Sequence, residues 1–460
     1  MRTISTRIFL VGALVLGLTL SINAQWKELF NGENLKGWKQ VGGQANYTVE
    51  GGVIVGTAVP NTPNSFLITD KKYGDFILEL EVHVSSQLNS GIQIRSNIDK
   101  AYRDGVFHGY QVEIDPSDRG YSGGIYDEQR RGWLYPLGRN EKARTALKLA
   151  DWNKVRIEAI GNTIYTWING VQCARLVDNM TAEGHIGLQV HSIWKDHLEG
   201  AQMKWRNIRI LTSNLESNRK APDPQVDEIS YLKNELTEWE KRNGFRLLWD
   251  GETNAGWRGA KLDDFPQSGW VMENGELTVL ATDGGESTGP GDIVTKDKYA
   301  NFELELEFKI TEGANSGIKY YVDPSLNKGS GSAIGCEFQI LDDKKHPDAK
   351  KGVNGNRTVG SLYDLIRAED RIVTGRQKQF KGIGQWNKAR IVAKDGKVQH
   401  WLNNQLVVEY DRFSQMFEAL VAYSKYAKWE NFGRWPEGCI LLQDHGNEVS
   451  YRSIKIRELN

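Results

Sequence analysis

Cysteine is scarce in this sequence, with three residues among 460: Cys173, Cys336 and Cys439. An odd and sparse set of this kind excludes a disulfide framework. The absence of any C-x-x-C pair argues against a zinc site built on thiolates. Cys336 and Cys439 both fall on expected strands of the second half, so a bridge between them is one alternative. Buried free thiols are the interpretation that we favour.

The sequence also lacks an excess of charge, with 58 Lys and Arg against 59 Asp and Glu. A nucleic-acid partner needs a basic face, so this balance predicts none. Beyond the first 24 residues no apolar run approaches the roughly 18 residues that a membrane helix needs. We therefore expect no membrane span in the mature chain.

The N-terminal segment differs in amino-acid composition from the rest of the chain. Arg2 and Arg7 precede an apolar run from Ile8 to Leu20, and Ala24 ends the segment at a cleavable position. This three-part pattern is typical of a secretory signal peptide over residues 1–24. The chain is expected to be exported, to the periplasm or outside the cell. An uncleaved N-terminal anchor is the alternative.

An internal repeat organises the remaining sequence. Its landmarks recur in the same order in both halves, which indicates duplication. We predict a first domain over 25–212, a linker over 213–243 and a second domain over 244–460. The paired landmarks are Leu29-Phe30-Asn31-Gly32 with Leu248-Trp249-Asp250-Gly251, Asn89-Ser90-Gly91-Ile92 with Asn315-Ser316-Gly317-Ile318, Trp167-Ile168-Asn169-Gly170 with Trp401-Leu402-Asn403-Asn404, and Gly184 to Gln189 with Gly438 to Gln443.

Within each half, short runs alternate between apolar and polar residues. Phe302, Leu304 and Leu306 alternate with acidic residues, for example. Such runs, separated by Gly and Asn, predict antiparallel strands and an all-β sandwich or jelly roll in each domain. In the linker, apolar residues at helical spacing predict one amphipathic helix over Glu228 to Arg242, packed at the domain interface.

These landmarks resemble the 3-keto-disaccharide hydrolase family, in two tandem copies. The resemblance rests on the opening motifs above, on Gly109-Tyr110-Gln111-Val112-Glu113-Ile114, on Gly123 to Asp127, on Glu337 to Asp343 and on Leu442-Gln443-Asp444-His445-Gly446. It covers nearly the whole chain after residue 24 and implies a concanavalin-like jelly roll. It also implies cleavage of glycosides whose sugar carries a ketone at carbon 3, and hence a carbohydrate as the substrate.

Polar residues on two strands point to a site in the second copy. In 335–341, Phe338 and Ile340 are expected to face the core, and Glu337 and Gln339 to face away. His445 recurs as His191 in the first copy, and histidine titrates near neutrality. The predicted catalytic residues are Glu337, His445, Lys319 and Tyr363, and the predicted substrate-binding residues of this copy are Gln339, Gln443 and Asp364.

The first copy carries a parallel set. Gln111 aligns with Glu337, Glu113 with Gln339, and Gln93 with Lys319. The predicted substrate-binding residues of this copy are Arg95, Gln111, Glu113, Tyr126 and His191. A divalent cation is a possible cofactor, with Glu337 and His445 as candidate ligands, although no spacing in the sequence demands a metal.

In the chemistry that the resemblance implies, a base removes the acidic proton at carbon 2 and the oxygen at carbon 1 leaves. Water then adds, which gives net hydrolysis. We interpret His445 as the base, Glu337 as the acid or a metal ligand, and Lys319, Tyr363 or a cation as stabilising the enolate. The alternatives are two carboxylates acting on an ordinary glycoside, a non-catalytic carbohydrate-binding protein, and a purely structural cell-surface protein.

Overall fold

A computed structural model describes residues 25–84, 87–194, 198–282, 290–372 and 376–460, and its architecture is nearly all β. Two antiparallel sandwiches follow one another along the chain, which confirms the predicted fold class. The predicted signal peptide, residues 1–24, lies outside the described residues. Within the described ranges no helix is both long and apolar enough to cross a membrane.

The first domain packs two sheets against each other. The strands are β1 Lys27–Glu28, β2 Trp38–Gly42, β3 Asn46–Glu50, β4 Val53–Thr57, β5 Ser65–Thr69, β6 Phe76–Val84, β7 Ser90–Ile98, β8 Phe107–Ile114, β9 Ile125–Glu128, β10 Gly132–Tyr135, β11 Trp152–Ile160, β12 Thr163–Ile168, β13 Val171–Val177, β14 His185–Val190, β15 Gln202–Leu211 and β16 Ile229–Ser230. The larger sheet has the order β16-β13-β12-β11-β6-β15-β4-β3 with β1 added beside β15, and the smaller sheet has the order β10-β9-β8-β7-β14-β5-β2.

The second domain repeats this plan. Its strands are β17 Arg246–Leu247, β18 Trp257–Gly259, β19 Trp270–Glu273, β20 Glu276–Val279, β21 Ile293–Thr295, β22 Phe302–Ile310, β23 Asn315–Asp323, β24 Ile334–Leu341, β25 Asn387–Lys394, β26 Lys397–Leu402, β27 Gln405–Asp411, β28 Cys439–Leu442 and β29 Val449–Glu458. Helix α2 at Gln415–Ala422 lies in this domain, and helix α1 at Glu238–Arg242 lies in the linker before it. The larger sheet has the order β19-β20-β29-β22-β25-β26-β27 with β17 beside β29, and the smaller sheet has the order β18-β21-β28-β23-β24.

Each core lies between the two sheets of its domain, because alternate side chains of every strand point inward. In the second domain Leu304, Leu306 and Phe308 of the larger sheet share one buried cluster with Phe338 and Ile340 of the smaller sheet. The opposite face of the smaller sheet is therefore available for polar side chains. All three cysteines are buried and free, which confirms the interpretation that we favoured over a bridge.

The helix predicted over Glu228 to Arg242 is wrong over its first ten residues, 228–237, because the helix spans only Glu238–Arg242. Ile229 and Ser230 form β16, which pairs in parallel with Leu176 and Val177 of β13. Backbone pairing at a sheet edge outweighs the helical spacing of the apolar side chains. The helix begins only after Thr237, whose side chain accepts a hydrogen bond from the backbone of Glu240 in a capping box.

The linker does pack at the domain interface, as predicted. It covers the outer face of the larger sheet of the second domain, where buried charges form an ionic layer. Glu305 lies at its centre, 3.1 Å from Arg139, 3.4 Å from Lys388 and 3.5 Å from Lys455. Arg139 belongs to the first domain, and Lys455 also contacts Glu240 of the linker. Charged groups of all three segments thus join the two domains.

A buried histidine makes the stability of the second domain depend on pH. His400 lies between the hydroxyl of Tyr320, 2.7 Å from Nε2, and the carbonyl of Gly360, 3.0 Å from Nδ1. Burial lowers the pKa of His400 from 6.5 to about 4. The unfolded chain therefore binds a proton at pH values where the folded histidine stays neutral.

We expect the free energy of unfolding to fall as the pH drops from 6.5 towards 4, by roughly 2 kcal/mol from this residue. The His400→Gln variant keeps polar partners for both neighbours and removes this contribution. Urea unfolding of both proteins at pH 7 and pH 4.5 measures it. An equal loss of stability in the two proteins would contradict the assignment to His400.

Candidate active site

The outer face of the smaller sheet in the second domain carries a row of buried polar side chains. Glu337 and Gln339 of β24 point away from the core, whereas Phe338 and Ile340 lie within it. Lys319 of β23 is in register with Glu337, so the two side chains share this face. The orientation predicted from strand alternation is confirmed. The row places a carboxylate beside an ammonium group on a rigid sheet.

These residues line a cavity of about 390 Å³. Six side chains predicted from the sequence meet there, although they come from four separate segments of the chain. They are Lys319, Glu337, Gln339, Tyr363, Gln443 and His445. Glu337 and His445 therefore open onto one cavity, which the predicted chemistry requires.

A polar relay holds the ammonium group of Lys319 in place. Lys319 donates to the hydroxyl of Ser332 at 2.5 Å and to the carbonyl of Ala333 at 3.3 Å, and it lies 3.8 Å from Glu337. Ser332 in turn donates to Asp292 at 2.5 Å. Because three directions around Nζ are filled by acceptors, the charge of Lys319 is fixed at the cavity wall.

The carboxylate of Glu337 is oriented by its neighbours. With the Gln339 amide turned so that its nitrogen faces acceptors, it donates to Glu337 Oε1 at 3.0 Å and to the carbonyl of Ser316 at 3.1 Å. Glu337 lies directly over Gly317, where a Cβ atom would stand 2.2 Å from Oε1. Glycine at 317 therefore permits the carboxylate to cross β23, and a larger residue would displace it.

Tyr363 closes one side of the cavity as a neutral hydrogen-bond donor. Its hydroxyl donates to Asp348 at 2.7 Å, and Asp348 also accepts from Arg357 at 2.9 Å. Burial and the nearby carboxylate of Glu337 raise the pKa of Tyr363 well above its ordinary value. Asp364 does not line the cavity; it accepts from Arg357 at 2.7 Å and so supports this arrangement from behind.

His445 contributes an imidazole that is half-buried at the cavity. Its ring lies edge-on to His346, with centroids 5.9 Å apart. His346 Nδ1 accepts a hydrogen bond from the backbone of Asp348 at 3.1 Å, and burial together with the adjacent His445 lowers the pKa of His346. His346 is therefore a neutral neighbour of His445 at pH 7.

Another part of the wall comes from a segment that the sequence analysis did not predict. Lys425, Tyr426, Lys428 and Trp429 line the cavity from the insertion between β27 and β28, with the Lys425 ammonium 4.4 Å from the ring centre of Tyr363. The signal for it was the longer spacing between the last two repeat landmarks in the second copy. Ser332 and Asp292 were also missed, because no repeat motif contains them.

The charge of the cavity is dominated by cations. Lys319, Lys425 and Lys428 line it, and among the described lining residues Glu337 is the one carboxylate. Within the described part of the chain, no cluster of three or more His, Cys, Asp or Glu side chains has the arrangement of a metal site. Of these four metal-binding residue types, Glu337 and His445 are the two described residues that line the cavity. Such a wall suits a neutral ligand in which negative charge develops on oxygen.

The structure brings part of the predicted set of the first domain together. Gln111 of β8 donates to Glu113 at 2.9 Å, and Tyr126 of β9 is in register with Gln111. His191 is half-buried and interacts electrostatically with Glu128. Arg95 lies elsewhere: it is buried and binds Asp75 and the carbonyls of Gly74 and Gly161 at 2.8–2.9 Å. Arg95 thus ties two loops together at a distance from the polar row.

Comparison with known proteins places these features in context. The sequence of residues 25–211 and of residues 244–457 matches a protein family described as the 3-keto-alpha-glucoside-1,2-lyase-like domain. A 3-keto-disaccharide hydrolase of Bacteroides thetaiotaomicron is 35% identical over 242 residues, which cover 47% of this chain and 79% of that protein.

Among solved structures, a candidate glycosyl hydrolase of Parabacteroides distasonis is 30% identical and covers 50% of this chain and 100% of its own, with a TM-score of 0.43. A carbohydrate-binding module of Bacillus subtilis is 17% identical, with 39% of this chain and 97% of its own covered and a TM-score of 0.28.

Proposed function

We propose that this chain, which belongs to the family of 3-keto-alpha-glucoside-1,2-lyase-like domains, cleaves glycosides. The substrate in this proposal is a sugar that carries a ketone at carbon 3. The second domain is the catalytic one in this proposal. The observation that carries it is the single cavity into which Glu337, Lys319, Tyr363 and His445 open together.

The proposed reaction begins with proton removal. His445 takes the proton from carbon 2 of the sugar, which the adjacent ketone makes acidic, and the electrons pass to the carbonyl oxygen as an enolate. The charge of the Lys319 ammonium group stabilises that oxyanion, and the Tyr363 hydroxyl joins it by turning its one proton from Asp348 to the enolate oxygen. The bond from carbon 1 to the glycosidic oxygen then breaks, and Glu337 in its protonated form supplies the proton to the leaving oxygen.

Water completes the reaction in this proposal. It adds to carbon 1 of the unsaturated ketone and gives its proton back to the Glu337 carboxylate, while carbon 2 regains a proton from His445, so that hydrolysis is the net result. A cavity with three lysines and one described carboxylate supports this route over the alternative with two carboxylates, which needs a second acidic group across the glycosidic bond. The fixed charge of Lys319 also favours chemistry in which an oxyanion forms.

Two further parts of the proposal rest on the sequence. Export to the periplasm or outside the cell rests on the pattern of residues 1–24. A divalent cation held by Glu337 and His445 would polarise the ketone as the alternative to their acid and base roles, since a metal-bound imidazole takes up no proton and a metal-bound carboxylate carries none, and a chelator tests for it.

We expect the full chain to turn over a methyl 3-keto-glucoside and not the parent glucoside, because only the ketone acidifies carbon 2. The His445→Ala variant is expected to lose activity by about 100-fold or more, the usual contribution of a positioned general base. Product release is measured by chromatography, with and without a chelator.

His346→Ala is the matched control, since it removes a neighbouring imidazole that does not line the cavity. Equal turnover of both sugars would contradict the role of the ketone, and full activity of His445→Ala would contradict the assigned base. Binding of the sugar without turnover would instead support the carbohydrate-binding alternative.

A further inference from the structure

The first domain presents its own polar row on the outer face of the smaller sheet. Gln93 donates to Gln111 at 2.8 Å, Gln111 donates to Glu113 at 2.9 Å, and Asn89 donates to the other oxygen of Glu113 at 2.8 Å. Burial raises the pKa of Glu113, although these donors oppose the shift. The row occupies the same strands as Lys319, Glu337 and Gln339 do in the second domain, so its position matches that of the proposed active site.

Gln189 adds an unsatisfied amide to this face. It is fully buried on β14, and among the described residues neither its amide nitrogen nor its amide oxygen has a hydrogen-bond partner. Its neighbours Leu188 and Val190 point into the core, so Gln189 points to the polar side. An unpaired buried amide costs folding free energy, because it has given up its hydrogen bonds to water. A ligand that offers both a donor and an acceptor, as neighbouring sugar hydroxyls do, would recover that free energy.

Aromatic side chains form a wall beside the row. Tyr126, which is in register with Gln111, packs edge-on against Trp133 with ring centroids 5.2 Å apart. Arg119 lies 4.9 Å over the Trp133 ring, 2.6 Å from Asp115 and 3.5 Å from Glu113. Because Arg119 already covers a face of Trp133, the stacking contact falls mainly to Tyr126; an aromatic ring beside paired amides and a carboxylate is suited to stack on and hydrogen-bond to a neutral sugar.

Within its described ranges, the first domain has no counterpart of the Lys319 ammonium group or of the Asp292 carboxylate that supports it in the second domain. Gln93 stands where the second domain has Lys319, in register with Gln111 as Lys319 is with Glu337. Phe66 lies opposite Gln189, at the place that Asp292 occupies beside Gln443. Phe66 packs with Phe107, ring centroids 5.1 Å apart, in a separate apolar cluster on this outer face. The ammonium group and its relay are therefore absent from the described residues of this row.

We propose that this face of the first domain is a second carbohydrate site, which binds a 3-keto-glycoside or its product and does not cleave it. The proposal rests on the proposed function for the class of sugar, and it assigns a different task to each copy. Gln189, Glu113 and the wall of Tyr126 and Trp133 supply the binding contacts. Position 93 holds no lysine, and the nearby guanidinium of Arg119 is engaged by Asp115 and Glu113, so no cation at the place of Lys319 stabilises an enolate there.

The test counts binding events in the full chain. In the Glu337→Gln variant, calorimetric titration with a methyl 3-keto-glucoside is expected to show two sites per chain. Adding Gln189→Leu to that variant should abolish binding at the site in the first domain or raise its Kd at least tenfold. Gln225→Leu, an exposed linker position, is the matched control and should leave both sites. If Gln189→Leu unfolds the first domain, as circular dichroism would show, Glu113→Gln takes its place.

The outcomes separate this proposal from the proposed function. One site in Glu337→Gln that is insensitive to Gln189→Leu and to Glu113→Gln overturns the second site. Turnover by Glu337→Gln that disappears with Gln189→Leu overturns the claim that the first domain does not cleave. Failure of the wild-type chain to turn over the sugar refutes the proposed function alone, because the site sensitive to Gln189→Leu is still counted by binding.

Discussion

The Glu337→Gln variant is expected to lower kcat/KM on a 3-keto-glucoside by at least about 100-fold, because it removes the group that we assign to protonate the leaving oxygen. The substitution keeps the size of the side chain and its contact with Gln339. KM should change much less than kcat, since the loss concerns an interaction of the transition state. Initial rates over a range of substrate concentrations separate the two parameters.

Glu113→Gln is the control for this prediction, because the repeat gives Glu113 an equally buried place in the first domain. A similar loss of activity in both variants would indicate that both domains take part in cleavage. A variant at 337 with nearly normal kcat would show that the carboxylate is not the acid, and Tyr363 would then become the candidate. Substrates with a better leaving group should rescue Glu337→Gln if its role is that of an acid.

Most of the site residues that could be predicted from the sequence follow from the alternation of side chains along strands. A period of two residues decides which side chains face away from the core, so Glu337 and Gln339 were separable from Phe338 and Ile340 without a structure. The repeat then supplied His445 and Gln443, because both recur at the same landmark. These are regular features of local backbone geometry, and duplication makes them visible twice.

The residues that support the site could not be predicted in the same way. Ser332 and Asp292 hold Lys319 through side chains that meet only when β21, β23 and the loop before β24 are packed together. Lys425 and Trp429 reach the cavity from an insertion whose path is set by tertiary contacts. Similarly, pairing with β13 decided the conformation of Ile229, although its local spacing favoured a helix.

The two copies also differ in what covers their larger sheets. In the repeat, Glu79 of the first domain corresponds to Glu305 of the second. Glu79 remains partly exposed, with ion pairs to Arg156 at 2.5 Å and Arg209 at 2.6 Å. Glu305 is buried under the linker and the first domain with Lys388, Lys455 and Arg139 around it. The same strand position therefore has a solvated role in one copy and an interface role in the other.

Glu305→Gln is expected to destabilise the protein by about 3–5 kcal/mol, because it leaves buried cations without their carboxylate. The matched variant Glu79→Gln should cost about 1 kcal/mol or less, since its ion pairs are reached by water. Thermal unfolding should then show a Tm for Glu305→Gln that is about 6–20 °C lower than the wild-type value. Equal shifts in the two variants would show that the ionic layer does not hold the domains together.

The pH dependence gives this prediction its sign. Burial opposes ionisation of Glu305, but Lys388, Lys455 and Arg139 outweigh it and hold the pKa of this carboxyl well below its ordinary value of 4.5. A group with a depressed pKa in the folded state stabilises fully above its unfolded pKa, and that stabilisation is lost as the pH falls towards the folded value. The gap between wild type and Glu305→Gln should therefore be constant from pH 7 to about pH 5.5 and should narrow below pH 4.5. A gap that stayed constant into acid would mean that packing, rather than the charge of Glu305, joins the linker and the two domains.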